Sequence, residues 1–594
     1  MQNNPRGPMA FLITMRIFFR AQPFQSCWTS RLSFRVFHKE SRRLAPQNFS
    51  DYESLKPFKP ELPEYFNFAK DVLDQWTLKE KAGKRPCNPA FWWINGSGDE
   101  VKWSFEELGS QSKKVANVLS QVCGLQKGDR VLLILPRIPE WWLVNIGCMR
   151  TGSVVMPGTT QLTKKDILYR LQVSKANCII TSDDLAPVVD SVACECKALK
   201  SKLIVSENPR EGWLNLKELM RQVPDDHSCV KTRHNEAMTI YFTSGTTGSP
   251  KMTEHSHCSF GIGLTVNGRY WLDLTPSDVM WNTSDTGWAK SAWSSFFAPW
   301  IQGACVFAHF MPRFEPSTVL DTLSRFPISV FCCAPTAYRM LVLNPLERSY
   351  KFKNLKHCVS AGEPINPEVT EQWKSNTGLD IYEGFGQTET VLVCGVFKGM
   401  KIKPGSMGKP SPAFDVQIVD KNGNILPPGE EGDIAVRAHP HRPFLFTRYV
   451  DDSQKTASTL RGNFYITGDR GYVDEDGYFW FLGRMDDIIL SSGYRIGPFE
   501  VENTLIEHPA VIESAVVSSP DPIRGEVVKA FIVLSPEYES HDPEKLTSEL
   551  QEHVKKSTAP YKYPRKVEFI KELPKTVSGK IRRNELRKKE WGRV

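Results

Sequence analysis

Between about residues 110 and 400 the chain repeats one pattern: a short apolar run, a turn carrying glycine or proline, then a stretch with helical spacing. Val131 to Leu135 leads into Pro136, Ile328 to Phe331 into Ala334-Pro335, and Leu355 to Val359 into Ala361-Gly362-Glu363-Pro364. The alternation of such short apolar runs with helical stretches predicts βαβ units in a largely parallel sheet. Functional loops then lie at the carboxyl ends of the strands. Near residue 410 the pattern changes. Asn422-Gly423 and Asp476-Gly477 sit between alternating segments, which predicts hairpins and a barrel-like antiparallel unit. After Gly483-Arg484-Met485-Asp486-Asp487 the mixed character returns. The expectation is a mixed α/β chain with a basic leader over 1–45 and a large N-terminal domain over 46–485, built of βαβ subdomains plus a small antiparallel barrel. A smaller α+β C-terminal domain follows over 486–594.

Composition narrows the classes. The 594 residues are 40% hydrophobic and 24% charged, which supports packed domains over most of the length. No apolar run approaches the roughly 20 residues that cross a bilayer. A net charge of +8 suggests a nucleic-acid partner until it is located. Residues 1–43 carry eight cations against Glu40, and residues 574–594 carry eight against Glu585 and Glu590, so the body between them is −5. A body of that sign repels a phosphate backbone. The leader mixes arginine, serine and aromatic residues with almost no acid, the composition of a mitochondrial transit peptide; a solvated basic arm and a secretory signal are the alternatives. The 14 cysteines are scattered without a C-x-x-C, so neither zinc nor a disulfide framework is expected. His255 and His257, two apart and without further ligands, read as packed or solvated histidines.

Two segments carry chemistry. The run Met238 to Phe242 feeds Thr243, Ser244, Gly245, Thr246, Thr247, Gly248, Ser249, Pro250 and Lys251. Glycines let backbone N–H groups turn inward, hydroxyls donate, and a lysine adds charge, so this loop suits a phosphate cradle, although its spacing is not that of a Walker A loop. A flexible connector has the same composition. The second segment is Tyr382, Glu383, Gly384, Phe385, Gly386, Gln387, Thr388 and Glu389, again after a short apolar stretch. Glu389 suits a magnesium ion held against a triphosphate, and Phe385 suits stacking on a base. A glycine-rich turn ahead of a helix is the plainer alternative.

Taken in order with Thr467-Gly468-Asp469, Gly483-Arg484 and Pro574 to Lys580, these segments resemble the acyl-adenylate-forming enzymes. Softer similarity in Ser284 to Trp288, Met156 to Gln161 and Tyr561 to Arg565 resembles their mitochondrial medium-chain acyl-CoA synthetases. The resemblance spans about residues 60–590. It implies a ligase that uses ATP, magnesium and coenzyme A to convert a carboxylic acid into its thioester through an acyl-adenylate, in the mitochondrial matrix. It further implies that 46–485 is the adenylation domain and 486–594 a mobile one, hinged at Asp486. By the same resemblance, Thr243 to Lys251 embrace the β- and γ-phosphates, Glu383 to Thr388 line adenine and the α-phosphate, and Glu389 binds the metal. Asp469 receives the ribose hydroxyls with help from Arg484, Arg495 approaches the phosphate, and Lys580 bridges the carboxylate and the α-phosphoryl oxygens. Thr243, Lys251, Glu389 and Lys580 are the implied catalytic set, and Trp288, Glu383 and Arg495 the implied substrate contacts. For coenzyme A the matching positions are Gln161, Ser492, Gly493, Tyr494, Arg524, Lys555, Tyr563, Pro564 and Arg565. Phe385 stands where relatives commonly have tyrosine, which keeps the stacking face and loses one hydroxyl. An adenylating ligase with another acceptor, and a catalytically weak nucleotide- or acyl-CoA-binding relative, remain the alternatives.

Overall fold

A computed structural model describes residues 45–243, 250–344, 350–439, 443–491, 494–522, 524–558, 560–576 and 580–592, with the backbone alone for Tyr494, Arg495 and Pro560. Residues 1–44 of the leader, the loop residues Ser244, Gly245, Thr246, Thr247, Gly248 and Ser249, and the pair Ser492 and Gly493 lie outside the described residues.

Among the described residues there are four sheets. The largest has nine strands, in the order Lys409–Pro410, Leu392–Gly395, Ile381–Gly386, His357–Ala361, Val330–Cys333, Val279–Asn282, Cys305–His309, Phe91–Ile94 and Glu100–Trp103. Its centre is parallel, from Ile381–Gly386 across to Phe91–Ile94, and its edges are antiparallel. Strands Val330–Cys333 and His357–Ala361 are fully buried, the first an unbroken apolar run and the second carrying His357 and Ser360, each hydrogen-bonded to a backbone carbonyl. The eight-stranded sheet runs Arg448–Tyr449, Lys251–Ser256, Ala237–Thr243, Val154–Pro157, Arg130–Ile134, Cys178–Ser182, Ser201–Val205 and Leu214–Asn215.

Local chemistry sets the helix ends. Ser104 caps Phe105–Asn117 by accepting from Glu107 N–H while the Glu107 carboxylate accepts from Ser104 N–H, and Thr163 with Asp166 repeats this box before Lys164–Ser174. Gly152 ends Pro139–Thr151 in the left-handed region at φ 73°, where a side chain would be strained.

The two predicted hairpin turns are present. Gly477, at φ 80°, lies in the turn joining Phe464–Val473 to its antiparallel partner Phe479–Arg484. Gly423, at φ 87°, precedes a bridge from Ile425 back to Val419. With Val416–Val419, Gly432–Arg437 and Leu460–Arg461, Phe464–Val473 and Phe479–Arg484 form a five-stranded antiparallel sheet bent at bulges near Asp433 and Arg470. A last five-stranded sheet, beginning at Ile489–Ser491, is mixed and packs against helices Pro498–Ile506 and Pro543–Ser557.

Two local expectations are refined. The segment after Phe242 does not lead into a parallel βαβ unit; Ala237–Thr243 turns back into Lys251–Ser256 as an antiparallel pair, with Thr243 opposite Lys251. The run from Tyr382 is not a turn before a helix: Ile381–Gly386 is a strand whose partner, Leu392–Gly395, is reached through a turn at Gln387–Thr390.

Candidate active site

Lys251 begins its strand at the rim of the eight-stranded sheet. The next strand outward, Arg448–Tyr449, comes from almost two hundred residues later and pairs with Thr253 and Glu254. Arg448 anchors it through two charge-assisted bonds to Glu254, at 3.1 and 3.2 Å. Tyr449 thereby lies beneath Lys251, whose ammonium is 5.4 Å from the ring centre. The Tyr449 hydroxyl donates to Glu389 Oε1 at 2.8 Å, and Phe446 N–H donates to the Glu389 carbonyl at 2.7 Å.

The turn carrying Glu389 is fixed from below by His255. Its Nε2 donates to the Thr388 carbonyl at 2.6 Å, so Nδ1 is the acceptor for the Ser259 hydroxyl at 2.9 Å. Burial lowers the His255 pKa to about 3 and that of His257 to about 4. Both rings are packed and neutral, in line with the packed reading of this pair.

Gln387 ties this turn to the antiparallel sheet. Its amide nitrogen donates to Asp469 Oδ2 at 2.6 Å and to the Thr467 carbonyl at 2.8 Å, while its oxygen accepts from Tyr465 at 3.0 Å. Arg484, opposite Asp469 across the hairpin, donates to Oδ1 at 2.9 Å. Burial raises the Asp469 pKa and Arg484 partly offsets this, while Asp469 in turn raises that of Arg484. Each Asp469 oxygen retains a lone pair for a further donor.

Lys580 enters from the C-terminal segment. The residue keeps accessible surface, yet its ammonium stands among protein atoms of the cleft, and this crowding lowers its pKa. Lys290 and Arg484 push the same way; Glu363 and Asp469 oppose. Lys251 is also lowered, first by desolvation and then by Lys455, with Glu389 opposing. Lys251 and Glu389 both meet Tyr449, Gln387 ties the Glu389 turn to Asp469, Arg484 pairs with Asp469, and Lys580 feels the charges of Asp469 and Arg484, so the five line one space.

The other expected residues fall into three groups. Thr243 and Pro250 border the cradle, the first 3.5 Å from the Thr253 hydroxyl and the second accepting from Tyr169 at 3.0 Å. Glu383 is buried in its strand, and desolvation raises its pKa to about 8, so that it is protonated at neutral pH. Gly384 and Gly386 press against Trp271 and Trp293, with no room for a Cβ, while Phe385 is half-buried. Trp288 has a buried indole N–H without a partner among the described residues.

Of the positions expected to meet coenzyme A, four cluster. The Tyr563 ring lies between Lys555 at 4.5 Å and Arg565 at 4.7 Å, Arg565 donates to the Tyr563 hydroxyl at 2.6 Å, and the Pro564 carbonyl accepts from Gln551 at 3.0 Å. Gln161 bonds its own loop through Thr159, and among the described residues no hydrogen bond or ion pair joins it to this cluster. Arg524 N–H donates to Asp521, and Tyr494 and Arg495 pair through the backbone with Ser491 and Leu490.

Sequence reasoning missed Tyr449, Tyr465 and Lys290, which no local motif distinguishes, and read His255 as packed or solvated without giving it the support of the turn that carries Glu389.

Comparison with known proteins gives the family. The AMP-binding enzyme family matches residues 78–449, and its C-terminal domain matches 500–580. Acyl-coenzyme A synthetase ACSM3, mitochondrial, of Homo sapiens is 75% identical over 94% of this chain and 96% of its own. Acyl-coenzyme A synthetase ACSM4, mitochondrial, of Mus musculus is 62% identical over 98% and 100%. Among solved structures, an anthranilate CoA ligase in complex with anthranoyl-AMP superposes with TM-score 0.80 at 30% identity, covering 89% of this chain and 98% of that one. A benzoate CoA ligase from Burkholderia xenovorans LB400 gives 0.77 at 26%, covering 88% and 100%. With both halves of the family pattern matched in order and relatives of this similarity along nearly its whole length, the chain belongs to the AMP-binding enzymes, among the mitochondrial acyl-coenzyme A synthetases.

Proposed function

We propose that this mitochondrial enzyme activates a medium-chain carboxylic acid with ATP and passes the acyl group to coenzyme A, releasing AMP and diphosphate. The observation that carries the reading is the convergence of Lys251, Glu389, Asp469, Arg484 and Lys580, drawn from five separate segments, on one space.

Such a site needs no general base, because a free carboxylic acid is already ionised near neutral pH. The difficulty is an anion approaching a polyanion, and fixed positive charge in a preorganised cleft answers it. In this reading Thr243 to Lys251 hold the terminal phosphates, Glu383 to Thr388 border the adenine, and Asp469 accepts the ribose hydroxyls on its free lone pairs. Arg495 approaches the phosphate, Lys580 steadies the carboxylate against the α-phosphorus, and Trp288 borders the acid. Glu389 offers one oxygen beyond its bond to Tyr449. Among the described residues no group of three metal-binding side chains occurs, and a single carboxylate facing phosphates is what magnesium, rather than a caged metal, accepts. When bound, the ion supplies charge neutralisation at the phosphate oxygens.

The second half-reaction requires Lys580 to withdraw. A turn of the segment after Asp486 does this, and brings Ser492, Gly493, Tyr494, Arg524 and the Lys555–Tyr563–Pro564–Arg565 cluster to the phosphates and pantetheine arm of coenzyme A, with Gln161 meeting it from the stationary domain.

ATP–pyrophosphate exchange over a panel of straight-chain and aromatic acids tests the first step, and AMP release with and without coenzyme A tests the second. Exchange without stimulation of AMP release by coenzyme A supports a different acceptor, and no exchange at all supports a weak nucleotide-binding relative. Lys580→Ala is expected to abolish acyl-AMP formation while sparing conversion of supplied acyl-AMP to thioester; equal loss of both contradicts the role given to Lys580.

A further inference from the structure

A cation that the motifs did not single out stands at the same cleft. Lys290 follows Ser284 to Trp288, just beyond the carboxyl end of strand Val279–Asn282. Its ammonium donates to the Cys333 carbonyl at 3.3 Å and to the Ala361 carbonyl, the last residues of two neighbouring parallel strands. It thus spans the carboxyl ends of the central strands, the edge at which open α/β sheets bind ligands.

An ammonium has three N–H donors. Two are used here, and among the described residues no hydrogen bond or ion pair takes the third. The other charged groups facing this space come from three places: Glu363 just past strand His357–Ala361, Arg484 and Asp469 from the antiparallel hairpin, and Lys580 from the C-terminal segment. The Cys332 and Cys333 thiols lie behind Lys290 and are influenced by it. Glu363 and Asp469 offset part of the repulsion between Lys290 and Lys580, and a substrate carboxylate between the two ammonium groups would offset more of it. The strand-end carbonyls pin Lys290 as a fixed charge, while Lys580 belongs to the segment proposed to leave after adenylation.

We propose that Lys290 is a catalytic residue whose third N–H binds the substrate carboxylate, opposite Lys580, and continues to hold the acyl oxygen once Lys580 has withdrawn. The inference rests on the adenylation reading above and adds the resident half of the charge clamp.

Glutamine at this position separates charge from tether, because its amide still offers two N–H groups to the two carbonyls. With the full-length enzyme, Lys290→Gln is expected to raise KM for octanoate in pyrophosphate exchange by about ten-fold or more, the loss typical of a charge-assisted hydrogen bond. KM for ATP should stay within about two-fold. Inhibition by octanamide, which has the same chain without the charge, should be unchanged, and Lys290→Arg should recover carboxylate affinity in part. Removing a like charge also frees Lys580 to hold its proton, so the alkaline limb of exchange should move to higher pH. If octanoate and octanamide weaken together, or octanoate affinity is unaltered, Lys290 is only a tether and the proposal fails. Should Lys290→Gln not fold, as judged by its Tm, Lys290→Arg decides: retained discrimination of octanoate over octanamide supports the charge, and loss of it overturns the proposal. Lys580→Ala run in parallel keeps the two readings apart, since exchange surviving in that variant defeats the adenylation reading whatever Lys290 does.

Discussion

Tyr449 donates its hydroxyl proton to Glu389 Oε1 at 2.8 Å, joining a strand at the edge of one sheet to a turn at the edge of another. One carboxylate oxygen is thus held still, and the other has no hydrogen-bond partner among the described residues. Tyr449→Phe retains the ring under Lys251 and its packing on Phe446 and removes only this bond. Pyrophosphate exchange is expected to fall by about ten-fold, with half-maximal activity at a higher magnesium concentration, for a bond of roughly 1 to 3 kcal/mol to a charged acceptor. A Tm close to that of the unaltered enzyme separates this from misfolding; an unchanged magnesium dependence contradicts the role.

The loops Met156 to Gln161 and Ser284 to Trp288 meet at Gly287. A Cβ there would lie 2.2 Å from the Thr159 nitrogen, against backbone that has no flexible end to give. Thr159 also donates to Asp285 at 3.2 Å. Gly287→Ala is therefore expected to cost about 1 to 3 kcal/mol of stability and to impair exchange, since the displaced loop carries Trp288 and leads to Lys290. Chemical unfolding and exchange measured on the same preparation check both effects.

Arg587, on helix Arg583–Glu590, bonds the Asp486 carbonyl and, at 2.8 Å, the Asp487 carboxylate. This contact holds the proposed hinge in the arrangement that aims Lys580 into the cleft. Arg587→Ala should lower exchange several-fold and leave thioester formation from supplied acyl-AMP the same or faster. Asp486→Pro, which stiffens the hinge, should slow thioester formation more than exchange. Uniform effects in both variants count against a hinge at this place.

The pH dependence of stability has two limbs of opposite sign. Burial raises the Glu383 pKa to about 8, so between about 4.5 and 8 the native state keeps a proton that the unfolded chain releases. Stability therefore declines as pH rises through that window. On the acid side, burial lowers His255 and His357 to about 3 and His257 and His309 to about 4. Below about 6.5 the unfolded chain binds protons that these native rings refuse, and stability falls as pH drops. Urea midpoints at pH 5, 6, 7 and 8 should show a maximum, and Glu383→Gln should flatten the alkaline side and steepen the acid side, because its window from about 4.5 to 8 overlaps that of the histidines. An unaltered alkaline slope would show that Glu383 titrates normally.

Much of this was legible in the chain itself. Apolar runs such as Val131 to Leu135 read as covered parallel strands because no residue in them tolerates water, and the strand Arg130–Ile134 lies within one residue of that reading. The hairpins at Asn422-Gly423 and Asp476-Gly477 read equally well, since left-handed turns have few chemical solutions. Antiparallel return after Phe242 was not legible, because strand direction depends on which neighbour a strand finds rather than on its own alternation.

The same division holds for the site. The linear order of residues determined which groups bear the chemistry: hydroxyls and glycines before Lys251, acids at Glu389 and Asp469, and Lys580 near the start of the basic tail. Only the tertiary structure decided that Tyr449 reaches Glu389, that His255 supports the turn before it, and that two strand-end carbonyls seize Lys290. A motif records residues close along the backbone. Hydrogen bonds between sheets depend on where distant strand ends meet, and that is settled when the apolar faces of the whole molecule pack together.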